Sequence, residues 1–157
     1  MDKITVAFCG QKGLYFTKSK FKKLTLNLEV ELVKFLEENF GKNITFYFAG
    51  SGGFDSRAFA ALYELKDIYA FETVFVSAIP LGRRAKVHGY DGAVFPFAQP
   101  LTGGSATRRR NEWLVDNCDV LFSFSPLKSV YDNYMLDYAK THRQITGKPK
   151  ILLISSD

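Results

Sequence analysis

Strand-like and helix-like segments alternate along the whole chain, which predicts an α/β fold, an open parallel sheet with helices on both faces. The first strand candidate, Ile4 to Cys9, is mostly apolar, as expected of a parallel strand buried on both faces. Two of the strand candidates end abruptly in glycine turns. The length of 157 residues suits one domain, taken as 1–157.

Ile4 to Cys9 is the first strand, followed by a loop holding Gly10 and Gly13. From about Phe21 to Phe40, Leu24, Leu28, Leu32 and Phe35 recur at helical spacing, and Gly41 is placed to close that helix. Ile44 to Ala49 is the second strand. Ser56 to Tyr69 is a helix with Ala58, Ala61, Leu62 and Leu65 on one face. Glu72 to Ile79 is a strand stopped by Pro80. Pro80 to Gly104 reads as irregular and holds three of the five prolines. Long loops of this kind are often functional. Ser105 or Thr107 can cap a helix running to about Asn117. Asp119 to Phe124 is a strand, Val130 to Thr141 a helix, and Lys150 to Ser155 the last strand. The arrangement is Rossmann-like, and ligands in such sheets bind at the carboxyl ends of strands.

Composition excludes several classes. Hydrophobic residues make up 46% and charged residues 24%, near globular averages, so disorder is disfavoured. No apolar run reaches the roughly 20 residues of a membrane helix, and no signal pattern opens the chain, so a cytoplasmic protein without a membrane partner is expected. Cys9 and Cys118 lack metal-ligand spacing and read as buried thiols. His88 and His142 have no partners at metal spacing, so neither a metal nor another cofactor is expected. The net charge of +5 is scattered, with no nucleic-acid-binding motif, which disfavours nucleic acid as partner. Basic clusters beside glycine turns fit a phosphorylated small ligand better.

Gly50-Ser51-Gly52-Gly53-Phe54-Asp55 is the most informative stretch. A strand that ends in glycines and enters a helix offers free backbone N–H groups to an anion, and glycine allows a close approach. Gly10-Gln11-Lys12-Gly13 is a weaker copy after the first strand. The two turns suggest one cleft built from both.

The order of features resembles the SLOG superfamily, a Rossmann-like group that includes phosphoribohydrolases and nucleotide-sensing domains of phage-defence proteins. Val6 to Lys12 resembles an FTGHR-type opening. Gly50 to Asp55 with Ala58 resembles G-x-x-G-F-D-x-x-A, and Val76-Ser77-Ala78-Ile79-Pro80 a strand ending in proline. Arg110-Asn111-Glu112-Trp113-Leu114-Val115-Asp116-Asn117-Cys118-Asp119 resembles R-N-x-x-[ML]-V-D-x-[SC]-D, the most specific piece. The chain departs from the enzymes at Ser125-Pro126-Leu127-Lys128-Ser129-Val130, where they carry P-G-G-x-G-T and then a glutamate. Gln11-Lys12 stands where the related branch has His-Arg, and lysine lacks arginine's bidentate fork.

Each candidate residue has a structural and a functional reading. Asp55 is either a first-turn acid favoured by the helix dipole or an acceptor for a ribose hydroxyl. Gly52 and Gly53 form a turn or hold phosphate. Arg110 is a solvated helix-start residue or a phosphate fork, and Asn111 beside it can hold a base or ribose. Trp113 reads as core, while Tyr131 and Tyr134 are helix face or stacking residues.

The resemblance and its departures imply a binder of a nucleotide-derived small molecule, such as an ADP-ribose-type or cyclic-nucleotide signal. The ligand-binding candidates are Gly10, Gln11, Lys12, Gly50, Ser51, Gly52, Gly53, Asp55, Arg110 and Asn111. No catalytic residue is assigned. The binder would act as sensor or as sequestering, anti-defence protein, and the resemblance implies a homo-oligomer. The alternative is a nucleotide N-glycosidic hydrolase or transferase using a carboxylate from Asp55, Asp91, Glu112 or Asp132.

Overall fold

A computed structural model describes residues 2–10, 18–50, 53–82, 89–100, 104–124 and 134–156. The elements are β1 Lys3–Gly10, α1 Lys18–Glu38, β2 Asn43–Phe48, α2 Gly53–Leu65, β3 Glu72–Val76, β4 Gly92–Val94, α3 Gly104–Asp116, β5 Val120–Phe124, α4 Tyr134–Thr146 and β6 Lys150–Leu153. The six strands form one sheet in the order β4-β3-β2-β1-β5-β6, and every neighbouring pair is parallel. The expected open parallel α/β sheet is therefore present. The chain winds outward from β1 to β4, then returns to the other side of β1 as β5. The strand order thus reverses between β1 and β5, the kind of point at whose carboxyl ends open α/β sheets bind ligands.

The pleat sends alternate residues to two cores. Val6 and Phe8 of β1 pack with Leu24, Leu28 and Leu32 of α1 and with Phe54, Ala58 and Leu62 of α2. Ala7 and Cys9 pack with Leu114 and Val115 of α3 and Leu136 and Ala139 of α4. The first core is built on aromatic stacking: the Phe8 ring centroid lies 5.0 Å from that of Phe48 and 5.6 Å from that of Phe122. Each such ring taken from water contributes about 1.5–3 kcal/mol. The second core uses small residues on the sheet side, which lets α3 and α4 come close.

Several boundaries differ from the sequence expectation. α2 starts at Gly53, before the expected Ser56. β3 stops at Val76 because Ser77 turns the chain with its own side chain: Ile79 N donates to Ser77 Oγ at 3.1 Å, and Ser77 Oγ donates to Ile79 O at 2.6 Å. The stretch read as irregular contains β4, whose three residues are too few to show a period. α4 runs on to Thr146, where Gly147 N donates to Arg143 O at 2.8 Å and Gly147 takes φ 84° as a helix-ending glycine. The expected start of that helix, 130–133, lies outside the described residues.

Gly10 owes its identity to packing. A Cβ there would lie 2.6 Å from Phe54 Cβ, on the first turn of α2. Phe54 is fully buried and touches Phe8 and Phe124 by its ring, so it has no room to retreat. Gly10→Ala should therefore lower stability by about 1–3 kcal/mol in urea unfolding, the range for overpacking. Gly104→Ala, where a Cβ meets nothing within 4 Å among the described residues, should change stability by no more than about 0.5 kcal/mol. Equal costs at the two positions would contradict this account.

Candidate functional site

The Ala49–Gly50 peptide, just past β2, is held from both sides of the sheet. Asp55 belongs to the first turn of α2, and its carboxylate accepts from Gly50 N at 2.9 Å and from Ala49 N at 3.4 Å. Arg110 comes from α3 on the other face, and its Nη1 donates to Ala49 O at 3.2 Å. Arg110 Nε and Nη2 also reach Asn111 Oδ1, both at 3.4 Å. Asp55 and Arg110 are 9% and 7% exposed, so this clamp works almost out of water. Gly50 takes φ 70°, and a Cβ on it would lie 2.5 Å from the Phe75 ring. Gly53 opens α2 at φ 61°. These two positions require glycine for backbone reasons.

Burial raises the Asp55 carboxyl to about 6; the Gly50 and Ala49 N–H groups and Arg110 pull against it. Burial lowers Arg110, and Asp55 works to raise it. Asp55 is thus a buried first-turn acid of α2, as its structural reading expects, and its oxygens bond the turn.

Of the expected site residues, Gly10, Gly50, Gly53, Asp55, Arg110 and Asn111 lie at the carboxyl edge of the sheet or on the helices entering it. Asp55, Arg110 and Asn111 form one connected set around the Ala49–Gly50 turn. Gln11, Lys12, Ser51 and Gly52 lie outside the described residues, as do Tyr131, Asp132 and His88.

Other candidates are engaged in structure. Trp113 packs edge-on against Tyr47, with centroids 5.4 Å apart, as the core reading expects. Tyr134 Oη donates to Glu112 Oε1 at 2.6 Å and accepts from Arg108 Nε at 2.8 Å, tying α4 to α3. Asp91 stands at the opposite, amino edge, where it accepts from Thr73 N at 2.9 Å and pairs with Lys66. Cys9 and Cys118 are buried free thiols, pushed by burial to about 11 and about 12. Among the described residues no group of three or more His, Cys, Asp or Glu is arranged to hold a metal. No helix among them is long and apolar enough to cross a membrane.

Sequence reasoning missed Ser123. It is fully buried on β5, and its Oγ finds no nitrogen or oxygen partner among the described residues. Its register neighbour on β1 is Cys9, whose thiol is a weak sulfur partner. The available signal was a lone polar residue inside the apolar run Val120–Phe124.

No protein-family model matches the chain, and no curated protein matches it. Among solved structures it is similar to DNA processing protein A from Helicobacter pylori, a structure described for its single-stranded DNA binding mode. The identity is 19% and the TM-score 0.53, and the match covers 96% of this chain. The chain spans 64% of the length of that one. At this identity the likeness shows a related fold.

The Asp55 shift fixes a pH dependence. Its folded value of about 6 lies above the ordinary 3.8, so the folded state holds the proton more tightly. Stability from this group is fully present below about pH 4 and is lost as pH rises through about 6, a change of about 3 kcal/mol. The wild-type melting temperature should therefore be higher at pH 5 than at pH 7.5, and Asp55→Asn should flatten that difference. An unchanged slope in the variant would contradict the assignment.

Proposed function

We propose that the chain binds a nucleotide-derived small molecule, of the ADP-ribose or cyclic-nucleotide type, at the carboxyl edge of its sheet. The observation that carries this reading is the clamped Ala49–Gly50 turn leading through Gly53 into α2. A glycine turn at a helix N-terminus can offer N–H groups to phosphate, and Ala49 and Gly50 at its start are held by Asp55 and Arg110. Gly10, Gln11 and Lys12 would supply the second phosphate contact, and Arg110 with Asn111 the charge and the base or ribose contact.

Sensing or sequestration, without catalysis, fits the candidate carboxylates among the described residues best; Asp132 lies outside them. The Asp55 oxygens bond the turn, Glu112 is bonded to Tyr134, and Asp91 lies at the far edge. The sequence features shared with the SLOG superfamily support the same ligand class, and the apolar helix faces are compatible with a homo-oligomer. An N-glycosidic hydrolase is the competing reading for the same cleft. Asp55, buried with a pKa near neutrality, is the group that would serve it. A second binding reading is single-stranded nucleic acid, for which the structural neighbour is described.

A thermal-shift panel of ADP-ribose, cyclic ADP-ribose, NAD, AMP, cyclic dinucleotides and a short single-stranded oligonucleotide separates these readings. A true ligand at about 100 times its dissociation constant adds about 2.7 kcal/mol of stability. The expected outcome is a shift with a nucleotide that chromatography recovers intact. Recovery of cleaved ligand would establish the hydrolase, a shift with the oligonucleotide alone would establish nucleic-acid binding, and no shift with any member would overturn the proposal.

A further inference from the structure

Phe95 and Phe97 are aromatic residues that neither core explains. Their ring centroids lie 5.5 Å apart at 67°, and both residues are half-buried. Among the described residues, neither ring belongs to or packs against either core cluster. They follow β4 directly, at the carboxyl edge, where Ser77 N donates to Val94 O at 2.9 Å. A proline disfavours helical backbone in the residue before it, so Pro96 biases Phe95 toward an extended conformation, in which residues two apart point the same way. Local covalent geometry thus favours this arrangement of the pair, which lowers the entropic cost to a ligand.

Its position relative to the glycine turn follows from the strand order. β4 is separated from β2 by β3 alone, so the chain leaving β4 lies about 10 Å across the carboxyl edge from the end of β2. A nucleotide with its phosphate on the glycine turn can reach the rings with its base. We propose that Phe95 and Phe97 form the base-stacking platform of the carboxyl-edge site. This rests on the nucleotide reading above and adds to it the element that recognises the base. Any base has a π-face, so the platform selects for the presence of a base more than for its identity.

The test uses the full chain and two probes, ADP-ribose and ribose 5-phosphate, which lacks a base. Phe95→Ala and Phe97→Ala should each weaken ADP-ribose binding in calorimetric titration by roughly ten- to a hundred-fold, the range for one stacked base. Both should leave ribose 5-phosphate binding unchanged, and Phe97→Trp should retain ADP-ribose. Both residues lie outside the cores, so the variants should melt with the parent. Equal losses for the two probes, or unchanged ADP-ribose binding in both alanine variants, would overturn the platform while leaving the nucleotide reading intact. A parent chain that binds ADP-ribose no better than ribose 5-phosphate would also overturn it. If the parent binds no nucleotide of the wider panel, the nucleotide reading fails and the platform fails with it.

Discussion

One peptide unit joins the two halves of this molecule. Ala49 and Gly50 leave β2 at the carboxyl edge, and side chains from opposite faces of the sheet converge on them. Asp55 takes the N–H groups from the α2 side, and Arg110 donates to the carbonyl from the α3 side. Neither charge is buried without partners, which is the condition for burying charge at all. Their direct partners are backbone dipoles and, for Arg110, the Asn111 side chain, and each feels the other only through space. Gly50 is required at the elbow twice over, by its positive φ and by the Phe75 ring beside it. The direction in which α2 starts, and so where its free N–H groups point, depends on this clamp.

The two edges of the sheet divide their chemistry. At the amino edge, Asp91 accepts from Thr73 N and Oγ1 and pairs with Lys66. Asp119 does the same with Thr5 and Lys148. Burial works to raise both carboxyls, but the lysines and threonine donors outweigh it and hold them below the usual range. Each acid therefore fastens the start of its own strand to the next one. An open groove of about 460 Å³ lies at this edge, with Glu31, Lys34, Glu38, Asp119 and Lys150 on its walls. At the carboxyl edge Gly10, Gly50 and Gly53, the raised Asp55 and the Phe95–Phe97 pair gather instead. The amino edge is spent on architecture, and the carboxyl edge carries what a ligand could use.

The strands with continuous apolar runs, β1, β2 and β5, were legible because burial on both faces leaves a plain signature. The leucine stripe of α1 was legible for the same reason. β4 was not: three residues beginning with glycine carry no period, and only pairing with Val74 to Val76 makes them a strand. The site was legible by residue and not by arrangement. Asp55 and Arg110 stood out in the sequence, yet nothing along the chain says that residues 55 positions apart hold one peptide. The most distinctive run, Arg110 to Asp119, is largely structural. Arg110 holds the turn, Asp116 accepts from Tyr138 at 2.8 Å, and Asp119 fastens β5 to β1. Polar residues in a recognisable pattern were thus serving packing as much as binding.

The central claim is that the ligand surface lies at the carboxyl edge around the clamped turn. Amide chemical shifts followed by heteronuclear NMR during titration with ADP-ribose test it most directly. The account predicts the largest perturbations at Gly10, Gly50, Gly53 and Phe97, with little change at Glu31, Glu38 and Lys150 along the amino-edge groove. Perturbations centred on that groove, with Gly50 and Gly53 unmoved, would contradict it.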